Sequence, residues 1–494
     1  MNEDVKNFTY LNELIRSTEN DITLEYDIKM NRDEFDQFPE GIVIDIDDLT
    51  IDGNGHSIDA DEITRIFKIT GKNIKIKNIT LKNGYSTDCG GAIANTGSAT
   101  ITKSALKWNT SDIDGGAIYN DIGGKTTIID TEIENNLANI DGGGVFNWGT
   151  LRMINSNLNW NKSQMDAGAL HNGGMTYKSS ISKHKLKDEK DILLNNAVAF
   201  IENCDITGNV GRNSCGAVLN WGRLQVKDSM INHNLTEKRG GAINNQRSAS
   251  VILENAIIRN NVSNKNGGGI YNLGNVKVNK STFYDNFAKN NGAGVFNRQT
   301  MTITDTKFLN NTSTKNGGAI NNESGTVTLI DTRLHRNKAQ YGAAIANKGQ
   351  MTVKKTDMFN NNAENGAGMA NIGQISIKKV IFFRNRAEHL GGGILNFGQM
   401  NIIGAVMRNN MAKCGGAIAN NGQISMEKTL LQDSHANKSG AGIYNNKGIV
   451  SLNKTTITKN VAKECGGGIH TCSGEIIEDN CKIEDNTPNN VHKK

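Results

Sequence analysis

The chain has 494 residues, a formal net charge of +5, 36% hydrophobic and 5% aromatic residues, 54 Gly and 2 Pro. So small a charge on this length argues against a nucleic-acid or membrane-surface binder, and so few Pro argue against a proline-rich stalk. No apolar run approaches the roughly 18 residues needed to span a bilayer, and the seven Cys, odd in number and irregularly spaced, make no disulfide framework.

In chain order, residues 1–40 read as an N-terminal cap. Met1-Asn2-Glu3-Asp4 has neither a basic start nor an apolar core, so no signal peptide is visible. Phe8, Leu11, Leu14 and Ile15 fall at helical spacing, which predicts a helix over 8–18 that covers the open end of a repeat array. Residues 41–486 read as that array, a stack of coils opened by "GIVIDIDDLTIDGNGHSIDA". From residue 89 one phrase keeps returning: "CGGAIAN" at 89–95, "DGGAIYN" at 114–120, "RGGAINN" at 239–245, "CGGAIAN" at 414–420. Its closing Asn falls at Asn95, Asn120, Asn147, Asn172, Asn220, Asn245, Asn272, Asn297, Asn322, Asn347, Asn371, Asn396, Asn420 and Asn445, and Thr471 stands there in a fifteenth copy. Successive gaps are 24 to 27 residues, except the 48 between Asn172 and Asn220. The excess centres on the Lys-rich stretch 175–195, read as an inserted loop. Residues 487–494 read as a polar tail.

Between copies runs an alternating segment such as "NVKVNKSTFYDN" (275–286), in which Val276, Val278 and Phe283 alternate with polar residues. Alternation with period two, rich in Val, Ile and Thr, means strand. Each segment closes on an apolar residue, two intervening residues and Asn: Phe283 with Asn286, Phe308 with Asn311, Phe382 with Asn385. Two or three short strands per repeat of about 25 residues leave no room for a helix and predict an all-β solenoid, a single-stranded right-handed parallel β-helix. Equivalent strands then pair at about 4.8 Å. The Ile column (Ile93, Ile118, Val145, Leu170, Val218) faces in. The Asn column is expected to satisfy turn backbone and to bond amide to amide up the stack. The residue before that Asn varies (Ala94, Tyr119, Phe146, His171, Leu219, Asn244, Tyr271), which predicts an exposed row.

Three constellations could carry chemistry. Asp114, Asp141 and Asp166 precede the glycine corner in successive coils. Asp114 and Asp166 would lie about 9.6 Å apart, two coils, a separation that suits the carboxyl pair of an inverting hydrolase. The same slot holds Asn266, Asn291, Asn316 and Asn365, so capping of turn amides is the competing reading. All four Trp lie within 108–221: Trp148 and Trp221 after the ladder Asn, Trp108 and Trp160 in another column, with Tyr119, Phe146 and His171 nearby. Exposed rings two coils apart can stack on sugars, or simply pack turns. Cys465, Cys472 and Cys481 have no CxxC pair and read as fillers or one local bridge, so no metal is expected.

The entry segment 41–84 resembles that of pectin-lyase-like right-handed parallel β-helix proteins. The paired phrases "GGAI" and "FxxN" resemble the repeats of chlamydial polymorphic outer membrane proteins, and "IDGNGHSIDA" with the Asn/Lys-rich repeats resembles adhesin-like surface proteins of methanogenic archaea. The resemblance implies a non-catalytic, extracellular or cell-surface, adhesin-like module whose partners are glycans or cell-envelope proteins. It also implies an alternative, a polysaccharide lyase or hydrolase, with which alone Ca2+ enters as a cofactor. A second alternative comes from the polar C-terminal segment, which shows no obvious cap: a filament that assembles end to end.

Overall fold

The computed structural model describes residues 5–17, 20–174 and 197–494; the inserted segment 175–195 lies outside the described residues. The chain divides into two units, Met1–Ile257 and Ile258–Lys494. Each is a parallel β-solenoid. Among the described residues no helix is long and apolar enough to cross a membrane.

In the first unit one coil runs through the strands Ile118–Asn120, Lys125–Ile129, Glu132–Glu134 and Leu137–Ala138. The next coil lies against it strand for strand, parallel and in register: Ile118 opposite Val145, Ile128 opposite Met153, Ile133 opposite Leu158, Ala138 opposite Ser163. A coil therefore carries four strands, not two or three. The fourth has two residues, too few to show any periodicity. Within Lys125–Ile129 the side chains of Thr126 and Ile128 are buried and their neighbours are not, the pattern of a sheet with one face inward. The second unit repeats the arrangement, with Phe283 stacked on Phe308 at 4.8 Å between ring centroids.

Besides the glycine corner, two corners of each coil need left-handed backbone. Asp130 (φ 49) and Asn135 (φ 57) supply it in the coil above, residue types that tolerate this region. The Gly-Gly corner answers why the phrase recurs. Gly115 has φ 65, and a Cβ there would lie 2.3 Å from the Ile118 carbonyl. A Cβ on Gly116 would lie 2.2 Å from the carbonyl of Gly143 in the next coil. The first glycine makes the turn and the second lets coils close on one another.

The Asn column is a hydrogen-bonded ladder. In the first unit each Nδ2 donates to the next Oδ1, from Asn95 through Asn120, Asn147, Asn172 and Asn220 to Asn245, at 2.7–3.0 Å. In the second unit the ladder runs from Asn272 through Asn297, Asn322, Asn347, Asn371, Asn396 and Asn420 to Asn445, at 2.7–3.0 Å. Thr471 ends the column, its hydroxyl donating to the Gly474 carbonyl. The Asn of "FxxN" makes a second ladder that the strand pattern alone does not announce. Asn109, Asn136, Asn161, Asn209 and Asn234 bond in series in the first unit, and Asn261, Asn286, Asn311, Asn337, Asn361, Asn385 and Asn410 in the second.

At the N-terminus the helix Phe8–Ser17 buries Phe8, Leu11 and Ile15. Its first amides point at the buried Glu34, whose carboxylate accepts from Thr9 N–H at 2.7 Å, Thr9 Oγ1 at 2.6 Å and Asn31 N–H at 3.1 Å. Coil pairing begins within the segment read as a cap: Asp21–Thr23 pairs with Thr50–Asp52, and Ile28 with Ile58. At the other end, in the segment read as a tail, Val491–Lys493 forms a strand paired with Ile469–Thr471.

Candidate functional site

The row before the ladder Asn was expected to stand in solvent; Ala94 and Tyr119 are half-buried, and most of the row is buried outright. Phe146 is 3% and His171 4% exposed; Leu219 and Asn244 are buried too, as are Tyr271 and Phe296 in the second unit. The cause lies at the glycine corner. The turn brings the residue before the corner back over this row, while the residue after the ladder Asn flanks it on the other side. Ser214 Oγ thus accepts from Asn244 Nδ2 at 2.6 Å, and Gln246 Nε2 donates to Asn244 Oδ1 at 3.0 Å. The row is the floor of a trough.

In coils 114–172 this trough gathers most of the residues singled out from sequence. Tyr119, Phe146 and His171 follow one another coil by coil, with centroids 5.6 Å apart between Tyr119 and Phe146 and 4.6 Å between Phe146 and His171. Trp148 packs beside Phe146 at 5.6 Å. Along the opposite wall stand Asp114, Asp141 and Asp166. Asp114 Oδ1 accepts the Asp141 N–H at 3.1 Å, and Asp141 Oδ1 the Asp166 N–H at 2.9 Å. The acids therefore cap the corner amides of the next coil. Asn266 does the same for Asn291, at 3.2 Å, in the second unit.

The remaining oxygen of Asp141, Oδ2, lies 3.3 Å from His171 Nδ1. The contact is electrostatic: neither ring nitrogen of this buried imidazole has a well-aligned hydrogen-bond partner. Burial, and then the charge of Asp141, push the Asp114 carboxyl up to about 7, with His171 opposing. The same two causes raise Asp166 to about 6. For His171 burial alone would lower the pKa; Asp141, with Asp114 and Asp166 behind it, outweighs burial and the net direction is up. The trough thus holds a carboxyl that carries a proton near neutrality beside an imidazole that favours one. One oxygen each of Asp114 and Asp141 is already committed to backbone.

The other tryptophans go elsewhere. Trp221 packs against Ala167, Cys215 and Leu219. Ala167 (φ 59) and Cys215 (φ 63) occupy the first-glycine position of their coils, so Trp221 covers the two corners that are not glycine. Trp108 and Trp160 lie outside the trough, at the left-handed corner before the second Asn ladder, with φ 56 and 57. Each is 54% exposed. The Trp160 ring lies along the turn column against Gly208, where a Cβ would fall 2.4 Å from Cε3.

Comparison with known proteins adds one resemblance. No curated protein matches the chain. Residues 305–323 match the family described as the Chlamydia polymorphic membrane protein (Chlamydia_PMP) repeat. That span holds Phe308 and Asn311 of the second ladder and Gly317-Gly318-Ala319-Ile320 of the corner, so what is similar is one structural repeat with both of its signature phrases.

Proposed function

We propose that the chain is a non-catalytic, adhesin-like module of a cell surface that binds glycans or cell-envelope partners through aromatic side chains presented at alternate turns. The observation that carries this reading is the placement of Trp108 and Trp160. Both occupy a left-handed turn position that Asn135 fills in the intervening coil, and both leave about half their surface in water. A bulky residue in that region costs on the order of 1 kcal/mol or more, and the exposed indole forgoes burial. The Trp160 ring covers Gly208, yet about half of each indole stays in water. Two indoles at the same turn, two coils or about 9.6 Å apart, suit a chain of sugar rings, because Trp offers a flat apolar face and one hydrogen-bond donor. Weak contacts repeated from coil to coil add through effective concentration. The resemblance to a membrane-protein repeat supports the surface assignment.

The test is binding of the wild-type chain and of Trp108→Ala/Trp160→Ala to a glycan array and to immobilised polysaccharides. The double variant is expected to keep its circular dichroism and melting temperature and to lose binding. Trp148→Ala, by contrast, lowers the melting temperature. Equal binding by wild type and double variant, or none by either, refutes the proposal.

A second reading, cleavage of acidic polysaccharides, is favoured by the raised Asp114 carboxyl and the Asp141–His171 contact. It requires release of reducing ends or unsaturated products that Asp114→Asn abolishes.

A further inference from the structure

In the second unit, near the chain end, the equivalent positions carry a different chemistry. Cys465 is the residue before a glycine corner, Gly466 having φ 63. His470 sits in the row, on the strand Ile469–Thr471, and His492 pairs with it across the strand Val491–Lys493. In-register pairing stacks the two imidazoles, with centroids 5.0 Å apart and planes at 11°. Their Nδ1 atoms come to 3.1 Å, and Cys465 Sγ lies 3.2 Å from His470 Nδ1. The three donor atoms all fall within 4.8 Å of one another, with His470 buried and the other two partly so.

We propose that Cys465, His470 and His492 form a zinc site. A thiolate and two imidazoles suit this borderline-soft ion. Tetrahedral bonding at about 2.0–2.1 Å for nitrogen and 2.3 Å for sulfur places such donors about 3.3–3.6 Å apart. The observed 3.1 and 3.2 Å need a few tenths of an ångström of opening, and Cys465 and His492, within 4.8 Å of each other, draw in to about 3.5 Å around the ion.

The surroundings fit ligation through Nδ1. On the far edge of the ring His470 Nε2 lies 3.4 Å from Cys472 Sγ, a partner for an Nε2 proton. That tautomer leaves the Nδ1 lone pair for the ion, the usual role of a group behind a ligating histidine. His470 lies between His492 and Tyr444, whose ring stacks on it at 5.5 Å and 4°. In-plane lone pairs of parallel rings do not converge, so ligation requires the partly exposed His492 to turn out of the stack. With three protein ligands, the fourth position is left to water or to a ligand. The CxxC rule misses the site because its ligands are gathered by the corner, the row and strand pairing rather than by sequence spacing.

The experiment uses the full chain, kept reduced and stripped of metal, and titrated with Co2+ and then Zn2+. Expected are one equivalent of Co2+ with a thiolate charge-transfer band, displacement of that band by Zn2+, and a higher melting temperature with Zn2+. Cys465→Ser loses the band, and both Cys465→Ser and His492→Ala lose the Zn2+-dependent melting shift, while their circular dichroism stays that of the wild type. Cys472→Ser weakens Zn2+ binding by about tenfold or more, and Cys481→Ser binds as the wild type does. Absence of binding by the reduced chain, binding of Cu+ but not Zn2+, or unchanged binding by Cys465→Ser and His492→Ala overturns the proposal.

Discussion

Replacing Asp114 with Asn is expected to stabilise the first unit above neutrality and to do little in mild acid. Burial and the neighbouring Asp141 raise the Asp114 carboxyl from 3.8 to about 7 in the folded chain, while His171 pulls the other way. An acid whose folded pKa is raised binds its proton more tightly when folded. Its contribution is fully present below about pH 4 and is lost as pH rises through 7. A shift of roughly three units sets a ceiling of about 4 kcal/mol at 1.36 kcal/mol per unit. Partial solvation at the trough edge and coupled titration with Asp141 and His171 bring the expected loss to about 1–2 kcal/mol. The amide of Asp114→Asn would keep the acceptor for the Asp141 N–H, as Asn266 keeps it for Asn291 at 3.2 Å, and would remove the charge. The assay is urea unfolding of wild type and Asp114→Asn at pH 5 and pH 8, with hydrogen exchange at the Asp141 amide as the local readout, because a repeat array need not unfold in two states. The variant's advantage should be larger at pH 8 by about 1–2 kcal/mol. An advantage independent of pH over that window would refute the assignment of a buried, protonated acid.

Three further outcomes test the frame. Asn120→Ala removes the acceptor of Asn95 Nδ2 and Thr126 Oγ1 and the donor to Asn147 Oδ1, Gly124 O and Thr150 O; it should cost about 3 kcal/mol, and a loss below about 0.5 kcal/mol in urea unfolding would show that the ladder carries little stability. Ser434 interrupts the second ladder: its N–H reaches Asn460 Oδ1 at 3.0 Å, and it brings no side-chain amide. Ser434→Asn should restore the rung and add about 1 kcal/mol; a lower melting temperature would mean that the core there cannot take the larger side chain. Glu34→Ala strands the first amides of the helix Phe8–Ser17 and should cost about 2–3 kcal/mol, seen first as faster hydrogen exchange from Leu11 to Ile15 and absent if that helix is held by its apolar face alone.

The ladder column and the inward Ile column were legible in the sequence because they repeat with one residue type at one spacing. The stacking inferred from them places Ile93 opposite Ile118 and Asn95 opposite Asn120, as the structure has it. The burial of His171 and Phe146 was not legible. Parity along a strand separates inward from outward side chains, but whether an outward side chain is covered depends on a corner residue of this coil or a neighbouring one. Asp141, in the coil before His171, does the covering here. The second ladder left a visible signal, an apolar residue three positions before each of its Asn, with Phe at Asn286, Asn311 and Asn385, but its role needs the corner to turn that Asn inward. Cys465 and His492 lie far apart along the chain, and only strand pairing between the last two coils joins them. Trp108 and Trp160 are half exposed, whereas Trp148 packs beside Phe146 and Trp221 against Ala167, Cys215 and Leu219.

The division of labour within one coil explains why different chemistries recur in one place. Inside the coil nearly every polar group is spent on the two ladders and on inter-coil backbone bonds, so substitution there leaves a buried group without a partner. On the outer faces of the long strands side chains meet water. The trough lies between these regimes: sheltered enough to move a pKa, yet built from two positions, the corner residue and the row residue, whose backbone the Gly-Gly turn fixes whatever the side chain. Asp and His put there give a proton-holding cluster; Cys and two His give a set of soft donors; Asn291 with Phe296, or Asn316 with Asn321, give only capped amides and packing. In a solenoid of this kind, chemistry is therefore to be sought first at those two positions of each repeat, before the more conspicuous strand faces.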